Sequence, residues 1–202
     1  MGNSLERQKI KEAGVIITSF AASYEEMKKT KFSCEFKKLI KKPNFLHSLS
    51  ALSLYKVGTH LKEEEERQRN DLRHQSRYCL FQIQRDGDEQ DFADLVNVGI
   101  GKVLTIAFCT AGGAGEEEDW EIFNVLNHFY YFLRELYEGR HYQQLSLKPL
   151  QLLARRTEEQ IEEEGANDEL EAQIKNNENN SYISVWANKA KAVILNCFIR
   201  RR

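Results

Sequence analysis

The sequence predicts an all-α protein, and three observations carry that expectation. There are only two prolines, with none between Pro43 and Pro149, so long helices are permitted. Apolar residues mostly recur at intervals of three and four rather than alternating, which is the helical period. Finally, the 21 residues 95–115 carry one charge, Lys102, and are apolar on all sides. A helix of that kind is either the centre of a helical domain or a membrane span. Gly99, Gly101, Gly112, Gly113, Gly115 and Lys102, together with amphipathic neighbours that need a core, favour the first. The expected architecture is a single helical bundle around this hydrophobic central helix, followed by a C-terminal tail.

The elements follow in order. Ile10, Ile17, Phe20 and Tyr24 line one stripe of a first helix over about 4–27, with Ser4 as N-cap. Phe32, Phe36, Leu39 and Ile40 form a short second helix that Pro43 stops. From Asn44 to about Arg77 a long or once-broken helix begins apolar (Phe45, Leu46, Leu49, Leu52, Leu54, Val57, Leu61). It then turns charged and solvated, with Glu63–Arg67 and Glu65–Arg69 as favourable pairs one turn apart. Asp86-Gly87-Asp88 marks a turn. Beyond the apolar stretch, Glu116 to Glu118 suit the positive end of a new helix. Trp120, Phe123, Leu126, Phe129, Tyr130, Leu133, Leu136 and Tyr137 are its apolar stripe, and Gly139 closes it. A further helix starts near Leu147, with Pro149 in its first turn and Leu150, Leu152, Leu153 and Ile161 as burial candidates. Residues 155–180 hold nine acidic and three basic residues and read as an acidic linker or frayed helix. Residues 181–202 are an apolar tail ending in three arginines. The expected division is therefore a helical domain over 1–154, a linker over 155–180 and a tail over 181–202.

Composition narrows function mainly by exclusion. A chain of 202 residues suits one domain with a real core. A net charge of −2, from 29 basic and 31 acidic residues, excludes the strongly basic surface of a general nucleic-acid binder, and no nucleic-acid partner is expected. Cys34, Cys79, Cys109 and Cys197 never form a C-x-x-C pair, which argues against structural zinc and a disulfide framework and for a reducing compartment. Gly2 offers a myristoylation site, but Glu6 stands where the pattern wants Ser or Thr. Lys9, Lys11 and Glu12 interrupt any apolar signal sequence. The histidines (His47, His60, His74, His128, His141) show no metal-ligand spacing. Gly99-Ile100-Gly101-Lys102 is phosphate-loop-like only in letters, because no strand precedes it. Carboxylates cluster in charged runs instead of apolar surroundings that would raise a pKa. The expectation is a non-enzymatic protein without cofactor or metal. An enzymatic role would require His128, His141 and Glu135 to meet in a pocket.

Two segments carry a resemblance. Leu54-Tyr55-Lys56-Val57-Gly58-Thr59-His60-Leu61 places Leu54, Val57 and Leu61 on one helix face, with Gly58 permitting close approach. It resembles the third homology motif of the Bcl-2 family of apoptosis regulators, with Thr59 replacing that motif's Asp. Forty-three residues after Gly58, the segment from Gly101 to Phe108 is similar to the family's first homology motif. Lys102 stands there for the groove arginine, Ile100 for the tryptophan and Gly99 for the asparagine. An ammonium cannot form the bidentate fork of a guanidinium, so a partner's Asp would be held less rigidly.

The resemblance covers about residues 4–150 and lacks the Gly-Gly-Trp second motif. It implies a surface groove formed by Leu54, Val57, Gly58, Leu61, Leu72, Phe92, Gly101, Lys102 and Val103. That groove would receive amphipathic helices of pro-apoptotic family members, and the protein would be a survival-promoting regulator. It also implies a cytoplasmic location with access to the mitochondrial or endoplasmic reticulum membrane. The tail residues Ile183, Trp186, Ile194, Phe198, Arg200, Arg201 and Arg202 would mediate reversible association with anionic lipid. Asn188, Lys189, Lys191 and Asn196 make that tail polar for a span. A final helix folded back onto the domain is the alternative. A rival of another class is a helical adaptor or viral scaffold protein that acts through self-assembly.

Overall fold

In the computed structural model of the chain, the described residues are 41, 44–55, 63–109, 119–140, 146–176 and 181–199. They form an all-α structure: α1 (Phe45–Ser53), α2 (Glu63–Asp86), α3 (Glu89–Asn97), α4 (Ile100–Cys109), α5 (Asp119–Glu138), α6 (Gln151–Glu163), α7 (Ala166–Asn176) and α8 (Ser181–Ile199). The helices expected over 4–27 and 32–40 lie outside the described residues. The chain divides into two compact units, the first carrying α1 and α2 and the second running on from Gly87.

In the first unit α1 packs on α2. Leu46, Leu49 and Ser53 form the buried side of α1, and the Arg77 guanidinium donates to the Ser53 carbonyl. The charged half of the expected long helix is wet only on one side. Glu64, Arg67, Gln68 and Asp71 are exposed, whereas Arg69, Leu72, Arg73, Ser76 and Arg77 are buried. The arginine guanidinium groups are buried with polar partners: Arg69 donates to Glu66, Arg73 to the Asn70 side chain and Arg77 to the Ser53 carbonyl. Arg67 pairs with Glu64 at 2.9 Å and Arg69 with Glu66 at 2.7 Å, one residue removed from the expected partners.

The second unit opens with a capping box at the expected turn. The Asp88 carboxylate accepts from the backbone N–H groups of Gln90 and Asp91, and Asp91 accepts in return from Asp88 N–H. The apolar stretch then breaks where continuity was expected. Gly99 takes a left-handed φ of 81°, and α3 and α4 meet at a 61° bend. Together these two helices have the length and composition of a span, yet no single described helix is long and apolar enough to cross a membrane. Phe92, Leu95, Val96, Ile100, Val103, Leu104, Ala107 and Phe108 are all buried within the fold.

The six described helices of this unit repeat a pattern. Short α3 (9 residues) and α4 (10) precede long α5 (20); α6 (13) and α7 (11) precede long α8 (19). Gly99 separates the first short pair, and Gly165, also left-handed at φ 71°, separates the second. Each helix of the first triplet touches its counterpart in the second: α3 with α6, α4 with α7 and, most extensively, α5 with α8. This is side-by-side stacking of two similar units.

Where an acidic linker or frayed helix was expected over 155–180, the described residues 155–176 form most of α6 and all of α7. Acidic residues occupy the wet sides of α6 and α7, while Ala154, Thr157, Ile161, Ala166 and Leu170 are buried. Small apolar residues at helical spacing suffice where helices pack closely. The tail likewise is a packed helix: Ile183, Ala187, Ala190 and Ile194 recur at four, three and four on its buried side, against α5 and α7.

Gly139 ends α5 with φ 76°, and Arg140 and Leu147 then exchange backbone hydrogen bonds of 2.8 and 2.9 Å. A Cβ at Gly139 would collide with the Leu147 carbonyl, whereas one at Gly165 meets open space. Gly165→Ala should therefore cost only the left-handed penalty, about 1 kcal/mol or a few degrees of melting temperature. Gly139→Ala adds the collision and should cost about 2–3 kcal/mol. Thermal unfolding by circular dichroism would compare the two; equal shifts would contradict this account.

Candidate functional site

The expected groove residues are divided between the two units. Leu54 is half-buried and Leu72 is buried in the first unit; Val57, Gly58 and Leu61 lie outside the described residues. In the second unit Phe92 and Val103 are fully enclosed, so neither offers surface to a visitor. The Phe92 ring stacks on Phe132 at 5.2 Å and 4°.

Gly101 is where α6 approaches most closely. A Cβ there would lie 3.0 Å from the Thr157 carbonyl and 2.9 Å from the Gln160 side-chain oxygen. The missing side chain lets Gln160 serve both helices at the corner. Its amide oxygen accepts from Gly101 N–H, and its amide nitrogen donates to the Val96 carbonyl. Gly101 N–H is in the first turn of α4, where no carbonyl of the same helix can reach it. Arg156 donates to the Asn97 side chain at 2.8 Å, and Lys102 Nζ pairs with Glu164 at 2.5 Å. The chain's own α6 and the residue following it thus occupy the side of α4 that the resemblance assigns to a partner helix.

A second cluster lies behind this corner. The Arg140 side chain is fully buried. It donates to the Gly87 carbonyl, approaches Glu135 at 3.5 Å and sits 5.8 Å over the Phe92 ring. Nearby, the Tyr137 hydroxyl donates to the Glu158 carboxylate, tying α5 to α6. Both contacts join elements of the fold, and a buried charge held this way is bound to its neighbours rather than offered to a ligand.

The open surface is elsewhere, along α5 and α8. The sequence reading merged two stripes of α5. Ile122, Val125, Leu126, Phe129, Phe132, Leu133 and Leu136 are buried, while Trp120 is 53% exposed and Phe123, Tyr130, Tyr131 and Tyr137 are half-buried. Trp186 of α8 stands beside the outer stripe. Its ring meets Phe123 edge-on at 5.8 Å, Tyr130 at 5.8 Å and Tyr131 at 6.0 Å. Lys189 Nζ lies 3.9 Å over the same ring, the geometry of a cation–π contact. Tyr182, one turn before Trp186, is 72% exposed. The sequence signal for this face was available: Trp120, Phe123, Tyr130 and Tyr131 sit some 100–200° round the helix from the aliphatic stripe, and Tyr and Trp combine an apolar body with a polar handle.

Of the tail residues assigned to lipid, Ile183 and Ile194 are therefore core and Trp186 belongs to this aromatic cluster. The Phe198 side chain and Arg200, Arg201 and Arg202 lie outside the described residues. Among the described residues no group of three metal-binding side chains could hold an ion. Burial pushes the Cys79 thiol up to about 12; burial, then the charges of Glu169 and Glu164, push the Cys109 thiol to about 12. A thiol so raised carries almost no thiolate at neutral pH. His128 is half-buried on α5, and His141 lies outside the described residues. No family model, curated protein or solved structure matches this chain.

Two substitutions separate the structural contacts at the corner. Gln160→Ala strips the amide from Gly101 N–H and should cost about 1–3 kcal/mol. Lys102→Met removes an ion pair whose lysine is 53% exposed and should cost no more than about 1 kcal/mol. Urea unfolding curves would compare them, and a larger loss from Lys102→Met would contradict the assignment of Gln160 as the seal.

Proposed function

We propose that the second unit is a pair of stacked α-solenoid repeats of the three-helix, armadillo-like kind. The chain is then a non-enzymatic binding scaffold that holds a polypeptide segment along the aromatic face of its third helices, α5 and α8. The observation that carries this reading is the position of Trp186, whose ring bridges α8 to Phe123, Tyr130 and Tyr131 of α5 beside exposed Trp120 and Tyr182. Aromatic side chains held rigidly on packed helices offer large contact area at low entropic cost, and such residues dominate binding energy at protein interfaces. A displayed library of random peptides, selected on the full chain, tests it. Selection should yield a consensus that Trp120→Ala with Tyr182→Ala weakens at least tenfold, about 1.4 kcal/mol. Absence of any enriched sequence would remove the reading.

A second reading keeps the resemblance to the Bcl-2 family: a survival-promoting regulator that binds amphipathic helices of pro-apoptotic members. One observation favours it. Lys102, at the start of buried α4, already holds a carboxylate, that of Glu164, in the role a partner's Asp would take. On this reading Glu164 must leave before a ligand binds, so Glu164→Gln should tighten binding of death-motif peptides. Fluorescence anisotropy with a peptide panel measures this; no binding to either form at about 10 µM removes the reading. Membrane association would then rest on Phe198 and Arg200 to Arg202. Vesicle flotation should show its loss on deleting 200–202, and equal recovery of the shortened chain would refute it.

A further inference from the structure

Exposed Lys189 stands on the aromatic strip without a carboxylate. The other lysine and arginine of α5 and α8 are matched among the described residues: Arg134 pairs with Glu138 at 3.0 Å and Lys191 with Glu171 at 2.8 Å. Residues 181–199 contain no Asp or Glu, and Glu121 and Glu135 of α5 are buried. What Lys189 does contact is the Trp186 face, 3.9 Å from its Nζ. Tyr182, Trp186 and Lys189 lie within about 60° of one another round α8 and so share one stripe.

This ammonium reverses the preference of the rings beneath it. An indole face attracts cations, so a strip built from Trp and Tyr alone would favour a basic ligand. Here the Trp186 face already holds a cation from its own helix, and Phe123, Tyr130 and Tyr131 crowd the same ring. A second cation arriving there meets an occupied face and like-charge repulsion. An ammonium also carries more N–H donors than one ring can use, and those of an exposed lysine are open to a carboxylate in a charge-assisted hydrogen bond.

We propose that Lys189 sets the charge specificity of the aromatic strip, selecting a polypeptide segment that carries an Asp or Glu side chain and rejecting a basic one. The inference deepens the peptide-binding reading of α5 and α8 and rests on it. The stripe also supplies a spacing. Tyr182 and Lys189 are seven residues apart, about 10 Å along a helix axis. A chain in the polyproline II conformation returns a side chain to the same side every three residues, after about 9 Å. The ligand therefore places its carboxylate on Lys189 and a large apolar side chain, about three positions away, on Tyr182.

Parallel selections of one displayed library of random peptides, on the unaltered full chain and on Lys189→Glu, provide the test. The unaltered chain should enrich Asp or Glu about three positions from a Leu or an aromatic residue. Lys189→Glu should enrich Lys or Arg at that position, with an unchanged thermal midpoint. For a synthetic peptide of the first consensus, Lys189→Gln should weaken binding about fivefold, and Lys189→Arg should restore most of it. Its affinity for the unaltered chain should fall as salt rises, and its affinity for Lys189→Gln should not, which keeps the test informative if Lys189→Glu misfolds. A consensus without an acidic position, or the same acidic consensus on Lys189→Glu, overturns the proposal and leaves the peptide-binding reading intact. Absence of enrichment on both chains removes the two together.

Discussion

The second unit depends on a corner. A nearly charge-free stretch of helix-forming residues would otherwise run straight, and left-handed Gly99 makes it stop and restart at 61° within a few residues. Breaking a helix leaves the first N–H groups of the restarted helix without a carbonyl of their own helix to bond. Gln160 answers that need by accepting from Gly101 N–H and donating to the Val96 carbonyl. Because one side chain satisfies both sides of the corner, the register of α6 against α3 and α4 is fixed. Gly101 sets the distance, since any larger residue would press on Thr157 and Gln160. Once α6 is seated, α7 and α8 follow, and α8 lies along α5.

Arg140 performs the corresponding task on the other side of the first triplet. It follows the glycine that ends α5, its backbone pairs with Leu147, and its guanidinium reaches Gly87, Glu135 and Phe92. A buried ion pair is weak evidence for stability, since desolvation offsets much of the attraction. Its effect is geometric: the entrance to α3, the last turns of α5 and the strap leading to α6 converge on one planar cation with directional donors. Corner and cation together make the triplet a unit with defined edges, which is what stacking requires.

Helix class, the turn at Asp86 to Asp88, the α5 span and its stop at Gly139 were legible because each has a local cause: period, cap or glycine. What the sequence concealed was pairing. The 155–180 segment reads as solvated because its buried positions, Thr157, Ile161, Ala166 and Leu170 among them, are few and set among charged residues; a closely approaching neighbour such as Gly101 gives Thr157 its value. Arg69, Arg73 and Arg77 read as wet because residue type says nothing about whether a long stem lies along a surface or leaves it. The two short–short–long triplets were masked by unequal connections and by the single apolar run that spans the Gly99 break. Of the expected groove, Phe92 stacks on Phe132 of α5 and Gly101 meets Thr157 and Gln160 of α6, while Val103 is enclosed.

Where, then, can such an assembly bind anything? In stacked triplets the sides of each helix facing a neighbour are consumed by packing, and the acidic sides of α6 and α7 remain wet. The third helices, α5 and α8, lie against each other and present one strip. That strip carries exposed Trp120 and Tyr182 together with half-buried Trp186. The strip is also where ring-to-ring contacts hold side chains in fixed orientations before any ligand arrives, which lowers the entropy lost on binding. Lys189 over Trp186 demonstrates the chemistry that such a ring supports, since a cation from the same helix already rests on its face. On the proposed reading, a ligand approaching this strip would meet ordered aromatic edges and one occupied aromatic face, and would gain most where it adds area beside Trp120 and Tyr182 without displacing Lys189.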